Sequence, residues 1–266
     1  MYMMKSSKLL GNFIQCYIGH AVNDNVRRQG VSGGIITQTF LYLLKTKAID
    51  GAVVSRMRKR VLPQTFIART PKEIISAADS VYYPVPFMQG VNEMKETPGN
   101  YAVVGLPCHF GLFDPVKTVL AFSLFCNHTP TAEATRTILR NNEIKPEDVL
   151  SLKYRNYPWP GVFTVKTKDK TVELPSTTSW RRLRGFWSLK CKLCHACIPD
   201  KADICVGDPW GFDSYHNDLG SSVLIVKSQR GYKILNDMEG KGLVNLDKIS
   251  HKDVVKNQEN MFKRCS

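Results

Sequence analysis

Three of the eight cysteines fall in one short run, Cys191-Lys192-Leu193-Cys194-His195-Ala196-Cys197, and a further thiol, Cys205, follows it. A C-x-x-C unit sets two sulfurs within reach of one metal centre, so the run predicts a metal or redox site. Its polar and basic neighbours argue against a set of buried, inert thiols. Two chemistries use such units. Tetrahedral zinc is held by four thiolates drawn from C-x-x-C pairs. Alternatively, C-x-x-C-x-x-C matches the opening of the bacterial ferredoxin run, whose fourth iron ligand is a distant cysteine. In that arrangement Cys191, Cys194 and Cys197 bind, with Cys108 or Cys126 completing the set. His195 stands between two candidate ligands and is expected to point away.

A second signal is Gly30-Val31-Ser32-Gly33-Gly34 at the head of an apolar periodic segment. Unpaired N–H groups and the helix dipole at such a place favour an anion, such as a flavin or nucleotide phosphate. The same residues equally suit a helix N-cap and tight turn. They match neither G-x-G-x-x-G nor the Walker pattern, which argues against a standard dinucleotide or nucleoside-triphosphate site. A third signal is basic: Arg181, Arg182, Arg184, Lys190 and Lys192, interleaved with Trp180, Phe186 and Trp187. This stretch is either a solvated loop with snorkelling side chains or a docking surface for an anionic cofactor or partner. Asp203 and Asp208 read as turn or cap residues rather than proton donors.

Apolar patterning supplies the elements that must position these groups. A strand is expected over Asn12 to Ile18, a turn at Asn23-Asp24-Asn25 with a loop to Gly34, a helix from Ile35, and a strand from Ala52 to Ser55. Pro71 opens a short helix through Ala78, and the Pro-rich link Tyr82-Tyr83-Pro84-Val85-Pro86 offers a boundary. Tyr101 to Leu106 and Val119 to Phe125 have the apolar run of strands buried on both faces of a parallel sheet. Each is closely followed by a cysteine. Ligands gather at the carboxyl ends of parallel strands, so Cys108 and Cys126 would share one rim. Further on, a helix is expected from Thr131 towards Asn141, and a hairpin over Val162 to Val165 and Thr171 to Leu174. The chain then closes with a strand from Ser222 to Val226, a helix from Tyr232 to Met238, and a terminal helix from His251 to Lys263.

Composition narrows the class. With 266 residues, 43% hydrophobic and 23% charged, the chain can bury one large α/β core or two small ones. It has neither a secretory leader nor a run of roughly 18 apolar residues, so a cytoplasmic location is expected. Reducing conditions there favour metal or redox roles for the cysteines over a disulfide framework. The balance of 37 Lys+Arg against 23 Asp+Glu gives +14, which attracts nucleic acid, anionic lipid or an acidic partner. No nucleic-acid-binding spacing accompanies that charge, and nucleic acid is not expected as a partner.

In order, these segments resemble the beta-subunit family of coenzyme F420 (deazaflavin) hydrogenases and dehydrogenases over nearly the whole chain, from about Gln15 onward. The motifs are Ser32-Gly33-Gly34 with Asp50-Gly51-Ala52-Val53-Val54, then Val104-Gly105-Leu106-Pro107-Cys108 and Leu124-Phe125-Cys126. Tyr154-Arg155 with Trp159-Pro160-Gly161 follows, and last come Cys191-x-x-Cys194, Ala202-Asp203-Ile204 and Gly207-Asp208-Pro209-Trp210-Gly211. The resemblance implies an iron–sulfur flavoprotein that carries FAD and a [4Fe–4S] cluster. Its cluster ligands would be Cys108, Cys126, Cys191 and Cys194, with Cys197 an extra thiol and alternative ligand. Ser32, Gly33, Gly34, Thr37 and Arg155 would contact the flavin. The implied fold is α/β, with a mixed or mostly parallel sheet flanked by helices and an irregular cysteine-rich C-terminal part. A flavin-phosphate region over 12–86 and an iron–sulfur and flavin region over 87–266 are expected. The chain departs from the family pattern at Leu106 and His109, where Thr and Gln are common. The two-cluster ferredoxin module that precedes this region in many relatives is absent, so a ferredoxin or other redox subunit is the expected partner, with an anionic two-electron cofactor as a further one. Because the family spans different substrates, the electron donor is not implied. A zinc-stabilised, non-catalytic module of the same fold is the alternative reading.

Overall fold

The computed structural model describes residues 9–175 and 184–263. One eight-stranded sheet dominates, made of β1 (Gln15–Ala21), β2 (Gly51–Arg58), β3 (Leu62–Ala68), β4 (Tyr101–Gly105), β5 (Leu120–Leu124), β9 (Ile204–Gly207), β10 (Ser222–Val226) and β11 (Val244–Ile249). Its order is β11-β1-β10-β9-β5-β4-β2-β3. The four central strands β9, β5, β4 and β2 pair in parallel, and the outer pairings are antiparallel. Strands from both sides of the Pro-rich link thus share one sheet. A second, antiparallel sheet holds β6 (Ser151–Asn156), β7 (Val162–Lys166) and β8 (Thr171–Pro175).

The near-continuous apolar runs follow from burial on both faces. Successive side chains alternate between two cores. Ile18, Val53, Val103, Ala121 and Ile225 pack on one side with the helices Phe87–Glu96 and His251–Asn257. Tyr17, Val54, Phe122, Val206 and Leu224 pack on the other with Ile35–Lys45 and Gln229–Gly240. A third cluster joins Phe163 and Val165 of the small sheet to Ile138 and Leu139 of the helix Ala132–Asn141.

The expected strands and helices are present, with three kinds of correction. Asn23 to Asn25 is not an isolated turn: Asn23 caps a helix, Asp24–Gly30, accepting the N–H groups of Asn25 and Val26 at 3.0 and 3.3 Å. That helix buries only Val26 and Arg27, so its sequence carries no apolar period to read. The strands β3, β6, β9 and β11 and the helix Phe87–Glu96 are additional; β11, for one, interleaves Asn, Asp and Lys with its apolar residues because it is an edge. Finally, the terminal helix breaks at Gln258 into His251–Asn257 and Glu259–Phe262. Gln258 turns its amide onto the carbonyl of Asp208 at 2.9 Å.

Candidate functional site

Because β2, β4, β5 and β9 run in parallel, their carboxyl ends open on one rim, and a cleft of about 550 Å³ lies there. This is the position that an open α/β sheet leaves free for ligands. Ser32, Gly34 and Thr37 line it, as do Val54, Ser55, His109, the segment from Leu124 to Pro130, and Arg155 with Asp208.

The glycine loop meets the cleft as the head of the helix Ile35–Lys45. Gly34 is its N-cap at φ +70°, a conformation that favours glycine, and among the described residues no side-chain cap bond closes the first turn. Ser32 Oγ donates to the carbonyl of Ser221 at 2.5 Å, and the Gly33 N–H donates to Ser222 Oγ at 3.0 Å, so the loop is stitched to the start of β10. A Cβ on Gly33 would stand 2.5 Å from the Gly19 carbonyl oxygen. Thr37 is buried one turn into the helix.

Arg155, on β6, is 6% exposed and makes a bidentate ion pair with Asp208, Nη1 to Oδ2 at 2.7 Å and Nη2 to Oδ1 at 3.2 Å, while Nε donates to the Pro160 carbonyl at 2.8 Å. Burial alone would lower the guanidinium pKa, but Asp208 and Tyr82 outweigh it and hold it up. Arg155 thereby ties the small sheet to the end of β9, and Asp208 is an ion-pair acceptor rather than a cap. Asp203 is structural: it accepts the Ala121 N–H at 2.8 Å, Ser228 Oγ at 2.5 Å and Arg230 Nε at 2.6 Å.

The cysteines divide into two sets. Cys108 follows β4 and Cys126 follows β5, so both leave the sheet at the rim, and Cys126 lines the cleft. Cys191, on the short helix Leu189–Lys192 capped by Ser188, and Cys194 just beyond it come to the same place. Burial raises the Cys108 pKa, and the thiols of Cys194 and Cys191 raise it further, while Lys190 opposes them. The Cys191 sulfur accepts the N–H of Thr129 at 3.4 Å, which joins the cysteine loop to the segment after Cys126. Cys197 is placed elsewhere. It is disulfide-bonded and buried in the core, its sulfur 3.6 Å from the Met261 carbonyl oxygen. Cys16 and Cys205 are buried inside the sheet, and burial pushes both thiols up to about 12. Among the described residues, no three Cys, His, Asp or Glu side chains stand close enough to hold one metal ion. His195 is exposed.

Several cleft residues carry no signal in the sequence. His109 stacks on Phe87 with centroids 3.9 Å apart, and its Nδ1 accepts the Leu106 N–H at 3.1 Å. Burial, with help from Lys190, lowers its pKa to about 4, so the ring is neutral near pH 7. His128 stacks on Trp187 at 3.3 Å. Asp79 sits in the cleft wall after a short helix, in a stretch without metal or acid–base spacing. In the basic stretch, Lys190 and Lys192 are exposed, as are Leu189 and Leu193 at 70% each; Trp180, Arg181 and Arg182 lie outside the described residues.

Fold and site together define an α/β protein with a ligand cleft and free thiols on one sheet rim. The sequence matches the N-terminal and C-terminal parts of the family described as coenzyme F420 hydrogenase/dehydrogenase beta subunit, over residues 16–92 and 99–252. The chain belongs to that family. It is 24% identical to the coenzyme F420 hydrogenase subunit beta of Methanothermobacter thermautotrophicus, with 96% of each chain covered. It is 25% identical to the F420-dependent formate dehydrogenase subunit beta of Methanocaldococcus jannaschii, covering 88% of this chain and 62% of that one. Among solved structures, a chain of the F420-reducing [NiFe] hydrogenase complex from Methanosarcina barkeri superposes with a TM-score of 0.72 at 19% identity, covering 98% of this chain and 94% of that one. At that identity the likeness concerns the fold. The relatives' names support an oxidoreductase role, and among the described residues no helix is long and apolar enough to cross a membrane.

Proposed function

We propose that this chain is an iron–sulfur flavoprotein that passes electrons between a two-electron donor or acceptor, deazaflavin-type or other, and an iron–sulfur partner. One juxtaposition carries the reading: the cleft and the cysteines outside disulfides that follow β4 and β5 occupy the same sheet rim, with Cys126 part of the cleft wall. A cofactor in the cleft and a cluster on Cys108, Cys126, Cys191 and Cys194 would be neighbours. Support for a cluster there comes from Cys194 and Cys191 lying near enough to raise the Cys108 pKa, and from the Thr129 N–H that points at the Cys191 sulfur. Such N–H···S bonds help to set a cluster's potential.

The cleft fits FAD on its own evidence. The uncapped helix head at Gly34, with Thr37 in its first turn, offers N–H donors and a positive dipole end to a phosphate, while Ser32 and Gly33 brace the loop against Ser221 and Ser222. Apolar and aromatic walls from Ile35, Phe40, Val54, Leu106 and Trp187 suit the faces of a planar ring. Arg155 acts by holding Asp208 and the loop at Pro160 against the cleft. A bound flavin supplies the ability to take electrons in pairs and give them singly. Exposed Leu189 and Leu193, flanked by Lys190 and Lys192 beside the thiols, support docking of an acidic redox partner such as a ferredoxin.

The test is metal, sulfide and flavin analysis with a visible spectrum on protein purified without oxygen. About four irons per chain with flavin are expected. Stoichiometric zinc with neither iron nor flavin would replace this reading by a structural module.

A further inference from the structure

Asp79 stands apart from the other acidic side chain of the cleft. Asp208 is consumed by Arg155, whereas no ion pair of Asp79 is found among the described residues. Its carboxyl accepts the Ser80 N–H at 2.8 Å on Oδ1, and the Tyr154 backbone N–H also reaches it. The charged and titratable groups that face it are Lys153 and Arg155 of β6 and the Tyr154 phenol. The Tyr154 hydroxyl is engaged with Thr135 Oγ1 at 2.8 Å. Lys153 reaches outward, its Nζ donating to Gln29 Oε1 at 3.4 Å in an exposed contact, so the Asp79 neighbourhood leads towards solvent.

The proposed electron transfer leaves a proton to be handled at this wall. When a donor C–H bond breaks, a bound flavin would take the hydride, two electrons with one proton; a bound cluster would take the electron pair singly and no proton, so one proton per hydride would be left in the cleft. A base held in the cleft wall removes that proton without waiting for one to diffuse in. We infer that Asp79 is that base: its carboxylate takes the proton released as the flavin is reoxidised and passes it out beside Lys153. In the reverse direction the same carboxyl supplies the proton. This rests on the flavin and cluster reading above. Burial supports it by raising the Asp79 pKa from 3.8 to about 6, against the opposing pull of Lys153, so both protonation states are reachable near neutral pH.

The experiment uses the full chain loaded with flavin and cluster, reduced with dithionite and then mixed with a one-electron acceptor, at a series of pH values. In the wild type, reoxidation should quicken as pH rises through about 6, where the base becomes deprotonated. Asp79→Asn should slow it on the order of a hundredfold and flatten that profile. Asp79→Glu, which keeps the carboxyl, should restore most of the rate and the pH dependence. As a readout independent of turnover, the oxidised-minus-reduced infrared difference spectrum should contain a protonated-carboxyl band that is missing from Asp79→Asn. Equal rates and an unchanged band in a flavin-loaded Asp79→Asn protein would overturn the inference alone. Wild-type protein that binds no flavin would overturn the underlying reading and this inference with it.

Discussion

At the scale of single residues, the thiols of Cys108 and Cys205 are distinguished by surroundings rather than by chemistry. Cys108 is exposed at the end of a parallel strand, whereas Cys205 is enclosed in the sheet with its thiol pushed up to about 12. Cys108→Ala should therefore abolish cluster-bound iron, while Cys205→Ala should keep the iron and cost about 1 kcal/mol of stability, as read by iron analysis and denaturant unfolding. Asp208→Ala leaves the buried Arg155 guanidinium without its carboxylate and should cost about 3–5 kcal/mol. The double variant with Arg155→Met should recover part of that loss. Asp79 gives a pH signature of the opposite sign to an ion-paired acid. Its folded pKa lies above the unfolded value of 3.8, so its contribution is fully present below about pH 4 and is lost as pH rises through about 6. Asp79→Asn should therefore unfold at a higher temperature than the wild type at pH 8 and show no such advantage at pH 4. The cysteine run was legible because C-x-x-C spacing announces a candidate ligand set, yet that spacing marks Cys197 as strongly as Cys194 and the fold sends Cys197 into the core. Asp79 was not, because one carboxylate after a short helix looks like any solvated turn until a cleft closes around it.

At the scale of elements, the helix Ile35–Lys45 owes the placement of its cleft-facing end to the loop before it. Gly33 lies so close to β1 and to the start of β10 that any side chain must displace backbone. Gly33→Ala should cost about 1–3 kcal/mol and weaken flavin retention, measured by fluorescence of the released flavin after dialysis. This helix was readable from its period, and β4 and β5 were readable from their apolar runs. The rim shared by Cys108 and Cys126 followed from those strands once they were taken as parallel, as they are. Polar edge strands such as β11 and the capped helix Asp24–Gly30 escaped, because an element packed on one narrow stripe leaves no strong periodic mark.

At the scale of the whole molecule, the net charge of +14 and the lysines beside the thiols predict electrostatically steered encounter with an acidic redox partner. Cross-reaction with an acidic ferredoxin should slow markedly between low salt and about 0.5 M, because the screening length falls below about 10 Å. A rate independent of salt would remove the steering argument. By itself, the sequence determined the fold class, the parallel centre of the sheet and which thiols are spaced as ligands. Those properties are local: they depend on apolar runs, turn residues and spacings of a few positions. Only the tertiary structure decided that Cys197 is buried away from the rim while Cys126 forms part of the cleft wall. It also decided that Arg155 is occupied by Asp208 and that Asp79 faces the same cleft as the head of the helix Ile35–Lys45. Each of these joins residues tens to hundreds of positions apart, and the sheet order that brings them together is set by packing two cores at once, which no local pattern encodes.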